Sequence, residues 1–456
     1  MAVAYQSHPE IADALAMKRR GLTLALLTFT YFFSYMDRQI LAILLERIKA
    51  DLLLTDTQLG LLSGLVFAIF YATLGIPVAR LADRTSRRNI IAASLTIWSA
   101  MTALCGLAQN FTQLMLFRIG VGIGEAGSSP PSHSIIADLY PPEKRASAMA
   151  VYSLGVVLGA GFGTLIGGVV AHSYGWRIAM MTVGLPGIAL AVLVRLFMVE
   201  PRRGLSDAAR ATEVKPMPSV AQGFASMWAS APARHLVVGV TLTSMIGYAL
   251  TGWGPSYMQR SLGVSMLDIS RYVALPGALF GAVSALAGGK IADVLAKRHG
   301  LHVQAWVVLG MKGLSLPFAL AFYLIDAPAI AIGSYFVSLI FANSYLGPSF
   351  ALIQHLAPLQ IRAMWAAITL LVINLVGLGL GPTLVGWLSD LLKPGFGEDS
   401  LRYALVIIVL MTPWALFHYW RAGILLKRDE DLARCRAPSS VILTKVRTQD
   451  RRGWRS

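Results

Sequence analysis

Apolar runs about twenty residues long recur along this chain, and they leave few folds open to it. LGLLSGLVFAIFYATLGIPVA (59–79) and ALVIIVLMTPWALF (404–417) are two of them. About 20 such residues are what a helix needs to cross the hydrocarbon core of a bilayer. Only 14% of the residues are charged, against about 25% in a soluble domain, and mean hydropathy is +0.62. Too few charges remain to cover a water-facing surface of this size, so the expected class is an all-α polytopic membrane protein.

Twelve spans are predicted, at 22–48, 57–82, 88–108, 113–140, 145–171, 177–198, 235–260, 267–294, 303–325, 328–356, 362–391 and 402–425. The longest polar break, beginning EPRRGLSDAARATEVKPMPS, separates six spans from six. The expected organisation is a segment 1–20, a first bundle 21–199, a linker 200–234, a second bundle 235–426 and a basic tail 427–456. Lysine and arginine set the orientation, because short basic loops stay in the cytoplasm. Lys18, Arg19, Arg20, Arg84, Arg87, Arg88, Arg202, Arg203, Arg210, Lys215, Lys297, Arg298, Lys427 and Arg428 all fall on one side. Both termini are therefore expected in the cytoplasm, with the chain in a bacterial inner membrane.

The formal charge of +16 follows mostly from this topology and from attraction to anionic inner-leaflet lipid; nucleic acid is not an expected partner. The first twenty residues hold Glu10 and Asp13 and no apolar core, so no signal peptide is expected. Ser7 and Glu10 have capping-box spacing, which predicts a short surface helix before the first span. Cys105 and Cys435 fall in a span and in the tail. Neither a disulfide nor a metal site is expected from them.

The chain repeats itself. ARLADRTSRR (79–88) aligns without gaps with GKIADVLAKR (289–298), a shift of 289 − 79 = 210. Pro131-Ser132 matches Pro348-Ser349, Pro141 matches Pro358, and Arg145-Ala146 matches Arg362-Ala363, at 348 − 131 = 217. Two six-span halves related in this way are parallel repeats, and substrate sites in such proteins lie near the membrane midplane between them.

Asp83-Arg84-x-x-Arg87-Arg88, its weaker copy at Asp293, and Arg118-x-Gly120-x-Gly122-x-Gly124 resemble the major facilitator superfamily over nearly the whole chain, about 20 to 426. YMDR (35–38) and GEAGSSPPSHSIIADLYPPEKRA (124–146) resemble its spinster-like branch, although Ser86 stands where the loop motif has glycine. The resemblance implies a cytoplasmic latch at Asp83, Arg84, Arg87, Arg88 and Asp293 that closes in the outward-facing state. Read without it, Asp83 meets the positive end of a neighbouring helix, while the arginines hold the loop in the cytoplasm. An acid present in both halves is more than topology requires.

Two polar stripes cross the apolar spans. Thr30, Ser34, and Asp37 or Arg38 recur at helical spacing on the first, and Arg118, Gly122, Glu125, Ser129 and Ser132 or His133 share one face of the fourth. A charge within a span costs at least ~2.5–3.5 kcal/mol on insertion scales, so it faces protein or water and usually acts. A structural bridge, for example Arg38 with Glu125, is the plainer alternative. The functional reading makes Asp37 and Glu125 proton-coupling carboxylates and Arg38 and Arg118 their charge partners. A desolvated carboxylate holds a proton more readily and a nearby guanidinium favours its loss, so relative movement of the two loads or releases it. Sodium would need several converging oxygens, and no such cluster is visible. The resemblance likewise implies a proton-linked cycle, with protons as the coupling ion and no cofactor.

Tyr248, Trp253 and Tyr257 on the seventh span, Asn343 and Tyr345 on the tenth and Asn374 on the eleventh are the second half's candidates for the cavity. With Thr30, Ser34, Ser129 and His133 opposite, one wall is charged and the other aromatic and amide-bearing. Such a cavity suits an amphipathic molecule. The resemblance implies lysophospholipids or sphingoid lipids; the chain is expected to function as a monomer. Gly155, Gly159, Gly163 and Gly167 repeat every fourth residue and are expected to pack helices; Gly377, Gly379, Gly381 and Pro382 do the same with a bend. A primary pump is disfavoured because no G-x-x-x-x-G-K-[ST] occurs, and an enzyme because H-E-x-x-H and G-x-S-x-G are missing. A proton-coupled organic-anion or sugar-acid symporter, with Arg38 or Arg118 on a carboxylate, remains the runner-up, and a non-transporting lipid sensor a third class.

Overall fold

The computed structural model describes residues 9–206, 219–358 and 361–436, and within these the chain is helical with no strand. A short helix, Pro9–Lys18, precedes the first span; Ser7 of the expected capping box lies outside the described residues. The first half follows as Arg20–Leu52, then Asp56–Ser63 with Leu65–Arg84, then Arg87–Cys105, then Phe111–Glu125 with Ser129–Leu139. Its fifth and sixth spans form one run, Pro142–Phe197, broken only at Gly175, whose φ of 84° is open to glycine at little cost. The second half holds Ala231–Arg260, Met266–His299, Val303–Leu324, Pro328–Ala342 with Leu346–Leu356, Arg362–Phe396, and Ser400–Val409 with Thr412–Arg436. Twelve passes result, matching the predicted spans in number and order.

Local chemistry explains the starts. Thr55 and Gln58 make a reciprocal capping box at the second span, and Ser86 and Asn110 cap the third and fourth. Within the expected linker, 200–234, Val220–Ala229 is a helix with its own Ser219–Gln222 box. Between Ile373 and Leu380 the eleventh span widens into π turns, where its glycines cluster.

The expected glycine seam is real. A methyl group at Gly155 would lie 2.6 Å from the Thr28 carbonyl oxygen and one at Gly163 2.7 Å from that of Met36; Gly159 sits equally tight on Phe32. The first and fifth spans therefore pack backbone to backbone. The repeat is visible in three dimensions too. The fourth span breaks at 126–128 and the tenth at 343–345, again 217 apart. Just beyond each break, Ser132 donates to the Ser128 carbonyl at 2.7 Å and Ser349 to that of Tyr345 at 2.6 Å.

The halves meet at the end of the bundle opposite the linker, here the far end. Gly60 and Gly64 bring the second span onto the Pro382 and Gly379 carbonyls of the eleventh, with room for no side chain. Asp56 is buried there. Arg260 grips it with two 2.7 Å bonds, and Lys49 and Ser389 each add another of 2.7 Å. Arg260 also reaches Glu46 at 2.7 Å, while Asp390 accepts from the Thr57 amide and hydroxyl at 2.7 and 2.6 Å.

Candidate functional site

Three side chains of the first and fourth spans converge in the apolar interior. The two Arg38 bonds reach the same Glu125 oxygen, Oε2, at 2.6 and 2.8 Å, and the Ser34 hydroxyl donates to it at 3.0 Å. The other Glu125 oxygen is buried with no hydrogen-bond partner among the described residues. Arg38 is boxed by aromatic faces, 4.7 Å from the Tyr71 ring centroid, 4.9 Å from Phe67 and 5.2 Å from Tyr35, each adding cation–π attraction. Charge-assisted bonds in such surroundings are stronger than their solvated equivalents.

Asp37 and Arg38 do not pair with one another. Successive helix positions point about 100° apart, so Arg38 turns to the fourth span and Asp37 to the third. There Asp37 accepts from the Thr102 hydroxyl at 3.0 Å and leaves Oδ1 without a partner among the described residues. Of the pairings open from sequence, Arg38 with Glu125 is the one formed. Arg118 is buried beside the Phe67 ring at 5.2 Å, donates to the Leu62 carbonyl at 3.3 Å, and interacts electrostatically with both Asp37 and Glu125.

A small cavity opens between the halves beside this cluster. From the first half Tyr35, Arg38, Gln39, Ala42, Ser63, Phe67 and Arg118 line it; from the second, Tyr248, Thr251, Gly252, Leu378 and Pro382. The first and seventh spans contribute equivalent positions, since 248 − 35, 251 − 38 and 252 − 39 all equal 213. Where one half places Arg38, the other places Thr251. Arg38 and Arg118 stand on the first-half wall, and of the second-half candidates only Tyr248 is in the lining.

Several candidates lie elsewhere. Trp253 and Tyr257 are core residues: the indole donates to the Pro382 carbonyl at 2.9 Å, and the Tyr257 hydroxyl to that of Phe322, also at 2.9 Å. Thr30 is buried and bonded back to the Leu26 carbonyl at 2.8 Å, as hydroxyls in spans often are. Tyr345 stands behind the wall, its hydroxyl 3.1 Å from Ser244. Ser129, His133, Asn343 and Asn374 do not line this cavity either. His133 instead packs edge-on against Tyr152, 5.3 Å between ring centres. Spacing alone does not separate such positions from those that line a lumen.

The motif loops are intact but serve different ends. Arg87 is buried, where a simple topology signal would be solvated. It binds Asp138 closely, Ser134 at 2.8 Å and Glu200 at 3.3 Å, tying the third and fourth spans to the linker. Ser86, the departure from the motif, donates to Glu200. Asp83 is 72% exposed and meets Arg203 at 3.6 Å, not a helix end of the other half. Asp293 accepts from Gln304 at 3.4 Å. Arg84 is exposed, and Arg88 reaches the Met198 carbonyl at 3.3 Å. Sequence reasoning missed the far-end cluster of Glu46, Lys49, Asp56, Arg260 and Asp390. The available signal was opposite charges at equivalent ends of the first, second, seventh and eleventh spans.

The sequence profile of the Major Facilitator Superfamily matches residues 27–382. An "MFS-type efflux pump" of Mycolicibacterium smegmatis is 33% identical over 92% of this chain and 96% of its own length. The "Sphingosine-1-phosphate transporter SPNS2" of Danio rerio is 26% identical over 92% of this chain and 88% of its own. The "Probable L-galactonate transporter" of Escherichia coli K12 is 28% identical over 60% and 61%. Among solved structures, a bacterial homologue of the human lysosomal transporter spinster, inward-facing and unoccupied, superposes with a TM-score of 0.81. It shares 29% identity over 90% of this chain and 98% of its own.

Proposed function

Because this chain belongs to the major facilitator superfamily, in its spinster-like branch, we propose that it is a proton-coupled secondary transporter moving an amphipathic, lipid-like substrate by alternating access. The observation that carries the reading is the Arg38–Glu125 pair, with Arg38 in the wall of a cavity whose opposite wall holds no charge. Arg38 joins substrate space to a buried carboxylate. A substrate group that draws the guanidinium away leaves Glu125 in apolar surroundings, which favour its protonated form; return of the guanidinium favours release. Asp37, held by Thr102, is a second carboxylate on the same relay.

The basic residues of the linker end support cytoplasmic termini in a bacterial inner membrane. With that orientation the closed far end faces outward, and the cavity belongs to the inward-facing state. One chain contains both halves of the site, which supports function as a monomer. Lysophospholipids and sphingoid lipids fit the two-walled cavity. A sugar-acid or other organic-anion symporter is the second reading, favoured by the guanidinium groups of Arg38 and Arg118 and by the likeness to a probable L-galactonate transporter.

Glu125→Gln tests the mechanism. The amide keeps the shape of the neutral acid, so binding and downhill counterflow in liposomes should survive while accumulation driven by a pH gradient collapses. Full pH-driven accumulation would make Glu125 structural. Asp37→Asn should weaken coupling without disturbing Arg38, because Glu125 keeps that partner. A thermal-shift screen of lysolipids, sphingoid bases and sugar acids chooses between the substrate readings, and a complete lack of counterflow by any stabilising compound would favour a sensor.

A further inference from the structure

Lys312 sits midway along the ninth span, Val303–Leu324, half-buried, and nothing above uses it. Its ammonium rests 5.2 Å from the centroid of the Tyr345 ring. Among the described residues no acidic side chain forms an ion pair with it. The other deep cations differ: Arg38 has Glu125, Arg260 has Asp56 and Glu46, Arg402 has Asp326, and Arg118 interacts with Asp37 and Glu125. A lysine at mid-span is costly to insert and marks a functional position when it faces protein or water.

Its surroundings point toward the cavity. The Tyr345 hydroxyl lies 3.1 Å from that of Ser244, which stands one helical turn before Tyr248, a residue of the cavity wall. Lys312 is thus one tyrosine behind the wall that otherwise carries no charge. A lysine stem is long and flexible, with three donors at its end.

We propose that Lys312 is an anion subsite of the transport cavity, contributed by the second half, which takes a phosphate or carboxylate group of the substrate. This rests on the transport reading and narrows its substrate to a molecule bearing negative charge. The first half then senses the substrate through Arg38 and the second half through Lys312, so one anionic group can draw the halves together.

The test uses purified protein with three probes: lysophosphatidate, the monoacylglycerol of the same chain length, and galacturonate. Affinities are measured for wild type, Lys312→Gln and Lys312→Arg. An anionic probe should bind, Lys312→Gln should weaken it by about tenfold or more, monoacylglycerol should be unaffected, and Lys312→Arg should restore most of the loss. Lysophosphatidate binding alone identifies a lipid anion. Galacturonate binding alone keeps the subsite and removes the lipid reading. Unchanged anion affinity in Lys312→Gln, equal weakening of monoacylglycerol, or no anion binding to wild type overturns the proposal. If Lys312→Gln does not fold, Lys312→Met replaces it, and failure of both marks a structural cation and also overturns it. Counterflow of the bound probe is scored separately: its absence defeats the transport reading and leaves the Lys312 result standing.

Discussion

At the far end, Arg260 of the second half holds Glu46 and Asp56 of the first, and Asp390 caps the start of the second span through Thr57. At the linker end, Arg87 holds Asp138 and Glu200, Arg203 holds Asp83, and His302 holds Glu430 at 2.7 Å. The first set crosses between halves. Each pair of the second stays inside one half, counting the linker with the first. Bonds that cross must break and re-form when two halves rock, whereas bonds within a half ride along unchanged. The far end therefore reports the state, and the linker end reports the integrity of each half.

Breaking the crossing bonds should have the largest effect. Asp56→Asn removes the acid that Arg260 and Lys49 share, and loss of one partner from a buried ion pair costs about 3–5 kcal/mol. The variant should melt well below wild type and expose far-end positions to membrane-impermeant thiol reagents on engineered cysteines. A wild-type melting curve with unchanged labelling would show that the clamp does not set the state.

A steric version sharpens the same contrast. A Cβ at Gly60 would meet the Pro382 carbonyl at 2.6 Å and Thr383 Cα at 3.0 Å, both backbone atoms that cannot step aside. Gly60→Val should hold the far end open with less loss of stability than Asp56→Asn, because it strains one state and leaves each half intact. Double electron–electron resonance between spin labels on the second and eleventh spans should show a longer far-end distance; an unaltered distribution would refute this.

Asp83→Asn should have the smallest effect on the folded protein, since Asp83 is exposed and its only ion pair among the described residues is the 3.6 Å contact with Arg203. Melting and equilibrium substrate affinity should stay near wild type while transport slows, if Asp83 engages the second half only in the opposite state. A large loss of binding with an unchanged conformational distribution would place Asp83 in the substrate site instead.

Much of this was legible in the chain. Lipid demands long apolar helices, so twelve runs gave twelve spans. The repeated Pro-Ser pairs reappear just beyond equivalent breaks at 126–128 and 343–345, whereas Ala82-Asp83 ends a helix and Ala292-Asp293 lies inside one. Charge within a span is costly enough to stand out, which is why Asp37, Arg38, Arg118 and Glu125 could be singled out from their types and spacing. Helical period even put Ser34 and Arg38 on one face, where both now hold Glu125.

What spacing could not decide was partnership. Adjacent Asp37 and Arg38 diverge because helical geometry sends them to different neighbours, and only the packed bundle says that those neighbours are Thr102 and Glu125. Trp253 and Tyr257 read like Tyr248 in sequence, yet the first two fill the core and the third faces the cavity. The far-end clamp joins residues more than 200 positions apart, Asp56 with Arg260 and with Ser389. Local chemistry fixes where each helix begins, how long it runs and which residues are too expensive to be idle. Which of those residues meet depends on how helices distant in sequence dock, and the tertiary structure alone supplies that.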